Sequence, residues 1–191
     1  ADTGGVVNID DFQDGDGWVP GTHGIIGAWY VYNDGTAGGV QMPTASDAFL
    51  PEEDPGEAGQ FVAPTAGGGF TDWGAGLGLD FNNPGENAPK GVLDASAATR
   101  LVFRARGNVT VRVKLSVAAV VPVAEGGSCA PMVGDCSDSH GANLALTDTW
   151  KEHSFTLADL SQEGWGVAAP FETSQLVSLQ FQLPASVDFD L

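Results

Sequence analysis

The chain has 191 residues, 42% of them apolar and 17% charged, with a formal net charge of −18 at pH 7. That length and apolar share fit one domain with a sizeable core, and such an acidic surface argues against nucleic acid and anionic membranes as partners. No stretch of about 18 apolar residues occurs, so no helical membrane span is expected.

Period-2 alternation dominates, and helical periodicity is nearly absent. Strands are expected at residues 7–12 and at 27–32, where Trp29 faces one way and Tyr30 and Tyr32 the other. Residues 33–72 are rich in Gly, Pro, Thr and Ala, with an acidic patch at Glu52, Glu53, Asp54 and Glu57. They read as long loops with short strands at 39–42 and 60–63. In residues 73–81, Trp73, Ala75, Leu77, Leu79 and Phe81 alternate with Gly74, Gly76, Gly78 and Asp80. Strands follow at 101–106 and 109–116, and shorter ones at 143–146 and 151–157. Residues 177–183 alternate Val177, Leu179, Phe181 and Leu183 with Ser178, Gln180 and Gln182. Residues 187–191 read as a strand in progress, with the final strand cut short. The pattern predicts an all-β, two-sheet antiparallel sandwich over residues 1–191 as a single domain.

The alternation also points to a surface. Residues 109–115 and 177–183 put apolar side chains on one face and Arg112, Lys114, Gln180 and Gln182 on the other. If these strands are neighbours, long hydrogen-bonding side chains line one sheet face. Tyr30 and Tyr32 point outward if Trp29 is core. Trp18 follows Gly17 and Trp165 lies in Gly164-Trp165-Gly166, both in loops. Exposed rings at such places suit stacking on the C–H faces of sugars. Trp150, at the start of a strand, is expected in the core. His153 is expected to be structural. His140 is a further candidate to hydrogen-bond a hydroxyl.

Cys129 and Cys136 are the two cysteines. A local disulfide is expected, which implies an oxidising compartment and a secreted protein. A reduced pair, or a metal site with His140, are the alternatives. Asp10, Asp11, Asp14 and Asp16 form an acidic turn. Calcium takes about six to eight oxygens from such segments.

The opening Asn8-Ile9-Asp10-Asp11-Phe12-Gln13-Asp14-Gly15 resembles the start of jelly-roll carbohydrate-binding modules of family 11 and their relatives. Trp73-Gly74-Ala75-Gly76, then 100–107 with 109–115, then Thr149-Trp150-Lys151-Glu152 through Leu160, follow in the same order. The resemblance implies a calcium-stapled jelly roll that binds β-glucans on a concave sheet. It carries the calcium ligands over to Asp11 and Gln13, with Asp188 and Asp190 as candidate partners. Such modules present several tyrosines and a histidine on the binding face. Here Gln180 stands where the histidine is expected, Leu183 and Asp72 where tyrosines are expected, and Arg112 matches a basic strand residue. The 129–140 loop is an insertion.

The expected function is a non-catalytic, monomeric module for a neutral polysaccharide, using Trp18, Tyr30, Tyr32, Trp73, Arg112, Lys114, His140, Trp165, Gln180 and Gln182. Two alternatives stand. A polysaccharide lyase on the same fold would draw on Tyr30, Tyr32, His140, Arg112 and Lys114, and a glycoside hydrolase on a pair of carboxylates about 5–9.5 Å apart, which the sequence does not single out. A structural or protein-interaction sandwich would need none of them.

Overall fold

The computed structural model describes residues 5–19, 21–85 and 89–191. Among these residues the regular structure is β-strand with short 3-10 turns and no α-helix. In chain order the strands are β1 (Trp29–Asn33), β2 (Val40–Met42), β3 (Glu52–Glu53), β4 (Phe61–Val62), β5 (Ala66–Gly68) and β6 (Ala75–Asp80). They continue as β7 (Arg100–Ala105), β8 (Thr110–Val117), β9 (His140–Ala145), β10 (Lys151–Thr156), β11 (Leu176–Leu183) and β12 (Phe189–Asp190).

One antiparallel sheet has five strands in the order β1-β6-β11-β8-β9. Only β8 and β9 are consecutive, so every other pair is joined by a connection that leaves the sheet and returns, the wiring of a jelly roll. Smaller antiparallel ribbons, β10-β7 and β12-β5-β2, make up the rest, with β3-β4 as a separate pair.

The core lies behind the five-stranded sheet. Val111, Val113, Leu115 and Val117 of β8 are almost wholly buried, as are Leu77 and Leu79 of β6 and Leu179 and Leu183 of β11. Burying each such side chain contributes about 1.5–3 kcal/mol. Phe103 of β7 meets Phe181 of β11 edge-on, with centroids 5.1 Å apart. Gln41 of β2 is buried and donates to the Gly76 carbonyl and Thr65 Oγ1, each at 3.1 Å.

Several boundaries differ from the sequence expectation. Residues 7–12 form no strand. They run as extended chain into a turn, where Asp10 accepts from the Phe12 amide at 2.9 Å and from Trp29 Nε1 at 2.8 Å. β9 begins at His140, before the expected 143. β5 carries no apolar signal because its residues are Ala66, Gly67 and Gly68. It needs them. A Cβ on Gly67 would stand 2.1 Å from the Val40 carbonyl, and one on Gly68 2.1 Å from Asp188 Oδ1. Residues 187–191 reduce to the short β12, paired with β5. Cys129 and Cys136 are joined as a disulfide, which removes the thiol and metal alternatives.

Candidate binding face

The register of the five-stranded sheet sets the outer face. Tyr32, Gly76, Gln182, Arg112 and Asn143 lie in one cross-strand row. Tyr30, Gly78, Gln180, Lys114 and Gly141 lie in the next. Paired residues share a face, and residues two apart on a strand do too. The polar side chains expected on β8 and β11 therefore belong to one surface, and the β1 tyrosines join them.

The glycines of β6 shape that surface. A Cβ on Gly76 would stand 2.3 Å from Tyr32 Cζ, and one on Gly78 2.8 Å from Tyr30 Cζ. Both rings thus lie down across the bare strand instead of standing off it. Their centroids are 6.0 Å apart. Tyr32 Oη donates to Gln180 Oε1 at 3.3 Å, and Tyr30 Oη to Asp80 Oδ1 at 3.2 Å. Burial pushes both phenols well above their ordinary range, and the Asp80 charge adds to this for Tyr30. They stay protonated at neutral pH and donate hydrogen bonds.

Trp73 completes the aromatic strip. It stands at the start of the alternating segment 73–81, and the structure places it on the outside of the sheet. Gly74 has φ +95°, and a Cβ there would stand 2.1 Å from the Leu183 carbonyl, so only glycine fits. That left-handed residue turns Trp73 onto the polar face, 42% exposed, with its ring 5.8 Å from Tyr32. Asp34 holds this corner by accepting from the amides of Thr36 and Asp72, both at 2.9 Å, and Gly74 at 3.0 Å.

Lys114 and Gln182 tie the strip to the middle of the sheet. Lys114 Nζ donates to Gln182 Oε1 at 2.6 Å, and Gln182 Nε2 donates to the Trp73 carbonyl at 3.0 Å. Lys114 is 9% exposed. Burial pulls its ammonium down to about 8; Glu163 and Asp138 oppose that shift and Arg112 adds to it. Arg112 Nη2 donates to the Ser161 carbonyl at 2.7 Å, while its buried Nε has no hydrogen-bond partner.

Trp165 stands on a braced loop beside β9. The Asp138 carboxylate accepts from the amides of Glu163, Gly164 and Gly166 at 3.0, 2.8 and 3.2 Å. Gln162 Nε2 donates to the carbonyls of Asp138 and Val167 at 2.7 and 2.8 Å. The Trp165 ring is 53% exposed, and its Nε1 donates to Glu163 Oε2 at 3.4 Å. Trp18 bridges to Ala28, which shares the face of Tyr30, so this exposed ring sits at the β1 edge of the same surface.

Two aromatic or ring-bearing candidates go elsewhere. His140 pairs with Leu115 and so points to the core side. It is buried, its Nε2 lies 3.1 Å from the Ala169 carbonyl, and its ring packs on Phe171 at 4.9 Å. Trp150 is half-buried on the other layer rather than in the core. Its Nε1 donates to the buried Asp54, and Arg104 and Arg106 lie over its ring at 5.7 and 5.3 Å.

Asp11, Gln13, Asp188 and Asp190 are the residues implied as calcium ligands. Among the described residues no three acidic, histidine or cysteine side chains cluster as an ion site, so Asp11, Asp188 and Asp190 do not form one. Asp11 Oδ1 accepts from the Gln13 amide at 3.2 Å, and Gln13 Oε1 accepts from the Phe61 amide at 3.4 Å.

Chemically the face offers flat rings, amide and hydroxyl groups, and two cations. Its phenols make poor bases at neutral pH. The carboxylate of Asp80 is held by Lys90 at 2.6 Å and Asn83 at 3.0 Å besides Tyr30.

No protein-family model matches the chain. No curated protein matches either. Solved structures do. A family 11 carbohydrate-binding module from Clostridium thermocellum, in complex with a β-1,3-1,4-mixed-linked tetrasaccharide, is 11% identical with a TM-score of 0.54, over 85% of this chain and 84% of that one. The family 11 module of a cellulosomal cellulase of Clostridium thermocellum is 11% identical with a TM-score of 0.51, over 92% and 90%. At that identity the likeness establishes the jelly-roll fold.

Proposed function

We propose that this chain is a non-catalytic carbohydrate-binding module that takes a polysaccharide with a neutral, β-glucan-like backbone across the outer face of its five-stranded sheet. One observation carries the reading. Tyr30 and Tyr32 lie flat over Gly78 and Gly76, next to the exposed Trp73, on a face otherwise made of hydrogen-bonding side chains. Sugar rings present C–H faces to such aromatics and hydroxyls to such amides. A structural neighbour solved in complex with a mixed-linked tetrasaccharide supports it. Trp18 and Trp165 flank the same surface and extend it.

The enzyme reading has less support. Its candidate bases are protonated tyrosines and a histidine on the wrong side of the sheet. The disulfide fits a secreted module. Calcium is expected only through the resemblance of the opening motif, and no ion enters this reading.

Affinity electrophoresis against mixed-linkage glucan, xylan and mannan tests it. Retardation by at least one polymer, lost in Tyr32→Ala or Trp73→Ala, is expected. A folded sample that no polymer retards overturns the proposal.

A further inference from the structure

The chain has 25 acidic residues and seven Lys and Arg together. With such an excess, each cation should find a carboxylate readily. Lys90, Arg104 and Arg106 do, at 2.6, 3.4 and 3.3 Å. Arg112 does too, more loosely; among the described residues Arg100 and Lys151, both exposed, and the buried Lys114 do not. Among the described residues Lys114 has no carboxylate within the 4.0 Å of an ion pair, and its ammonium donates only to the neutral Gln182. Arg112 has Glu163 Oε2 at 3.6 Å, too far to hydrogen-bond its Nε, and that carboxylate is half-exposed.

Burying a cation without counter-charge is costly, and buried cations are normally paired. Here Lys114 is buried without a counter-charge, two residues from Arg112 on β8, on the same face, beside bare Gly141, and Arg112's own partner is the half-exposed Glu163. Asparagine, glutamine or serine would hydrogen-bond hydroxyls without that cost. The missing counter-charge is most simply one that arrives with the ligand. Tyr32 lies three strand spacings away from Arg112, roughly 14 Å. A backbone stacked on Tyr32 and Trp73 thus leaves the cations to a neighbouring residue or side group.

We propose that this face recognises a glycan bearing a carboxylate, a uronic acid residue or substituent, on an otherwise uncharged backbone, with Arg112 and Lys114 supplying the counter-charges. The inference rests on the carbohydrate reading above and narrows its ligand. The net charge of −18 does not oppose it locally, because at physiological salt the Debye length is about 8 Å and distant acids are screened. Charged groups near Lys114 are Arg112 on its own strand, Asp138 ahead of β9, and Glu163 in the adjoining loop. Glu163 competes with the ligand's carboxylate for Arg112.

The test is titration calorimetry with matched β-linked oligosaccharides, one neutral and one carrying a single uronic acid. The acidic member should bind about tenfold tighter or more. Lys114→Met and Arg112→Gln should bring the ratio toward one, with melting temperatures showing that each folds. Glu163→Gln, at an exposed position, should raise the ratio. Raising the pH from 7 to 9.5 should lower it as Lys114 loses its proton. Equal binding of both sugars, or preference for the neutral one, overturns this inference and leaves the carbohydrate reading standing. Binding of neither overturns both.

Discussion

The Tyr32 ring lies across Gly76 so closely that a Cβ on the glycine would stand 2.3 Å from Tyr32 Cζ. The glycine is therefore part of the proposed binding face although it contributes no side chain. Gly76→Ala should lift the ring off the sheet. Overpacking of this kind costs about 1–3 kcal/mol, and the low end is expected because the ring has an open side. Affinity for the best glycan should fall about tenfold or more while the protein remains folded. Urea denaturation and calorimetric titration of the variant check both numbers. Wild-type affinity in Gly76→Ala would show that the ring's posture does not matter.

Trp73 and Trp150 should separate binding from stability. Trp73→Ala removes an exposed stacking ring, so affinity should drop about tenfold or more with little change in melting. Trp150→Ala removes the indole donor to buried Asp54 and the platform under Arg104 and Arg106. It should cost about 2 kcal/mol of stability and leave affinity unchanged, since it lies off the five-stranded sheet. Thermal melts and titrations of the two variants, run in parallel, decide the matter.

Lys114 gives a pH signature with a defined sign. Its ammonium sits at about 8 in the folded state against 10.5 when unfolded. Between those values the unfolded chain holds a proton that the folded one lacks, so stability should rise with pH from about 8 toward 10. Below 8 both states are protonated and this contribution is constant. Above about 10 the raised phenols of Tyr30 and Tyr32 act the other way, because the unfolded tyrosines lose protons first. Denaturant melts at pH 7, 8, 9 and 10 should show the rise, and Lys114→Met should abolish it.

The disulfide should be a modest staple. Cys129 and Cys136 are seven residues apart, and closing so short a loop is worth about 2 kcal/mol in the chain-entropy account. Reduction should lower the melting temperature by about 5 °C without unfolding the sheet at room temperature. A native sample should show no free thiol in a thiol titration.

The strongest strands were legible because one side of each packs a core and the other meets polar surroundings. β8 and β11 alternate without a break over most of their length, and the expected face of Arg112, Lys114, Gln180 and Gln182 follows directly. The cysteine spacing likewise pointed to the pairing observed. β5 was illegible since Ala66, Gly67 and Gly68 are chosen for what they leave out. The 7–12 segment carried a strand-like pattern that its hydrogen bonds to Asp10 turn into a capped corner.

The site divides along the same line. Sequence by itself determined which side chains share a strand face, because the two-residue period is a property of the backbone. Tertiary structure alone decided which faces meet and which residues turn away. His140 entered β9 on the core side because register with Leu115 left it no other side. Trp73 reaches the outer face through one left-handed glycine, whose need arises from a carbonyl of β11, 109 residues further along the chain. Gly76 and Gly78 became a floor for tyrosines only once β1 paired with β6. Such requirements are set by atoms remote in the chain, and local periodicity carries no trace of them.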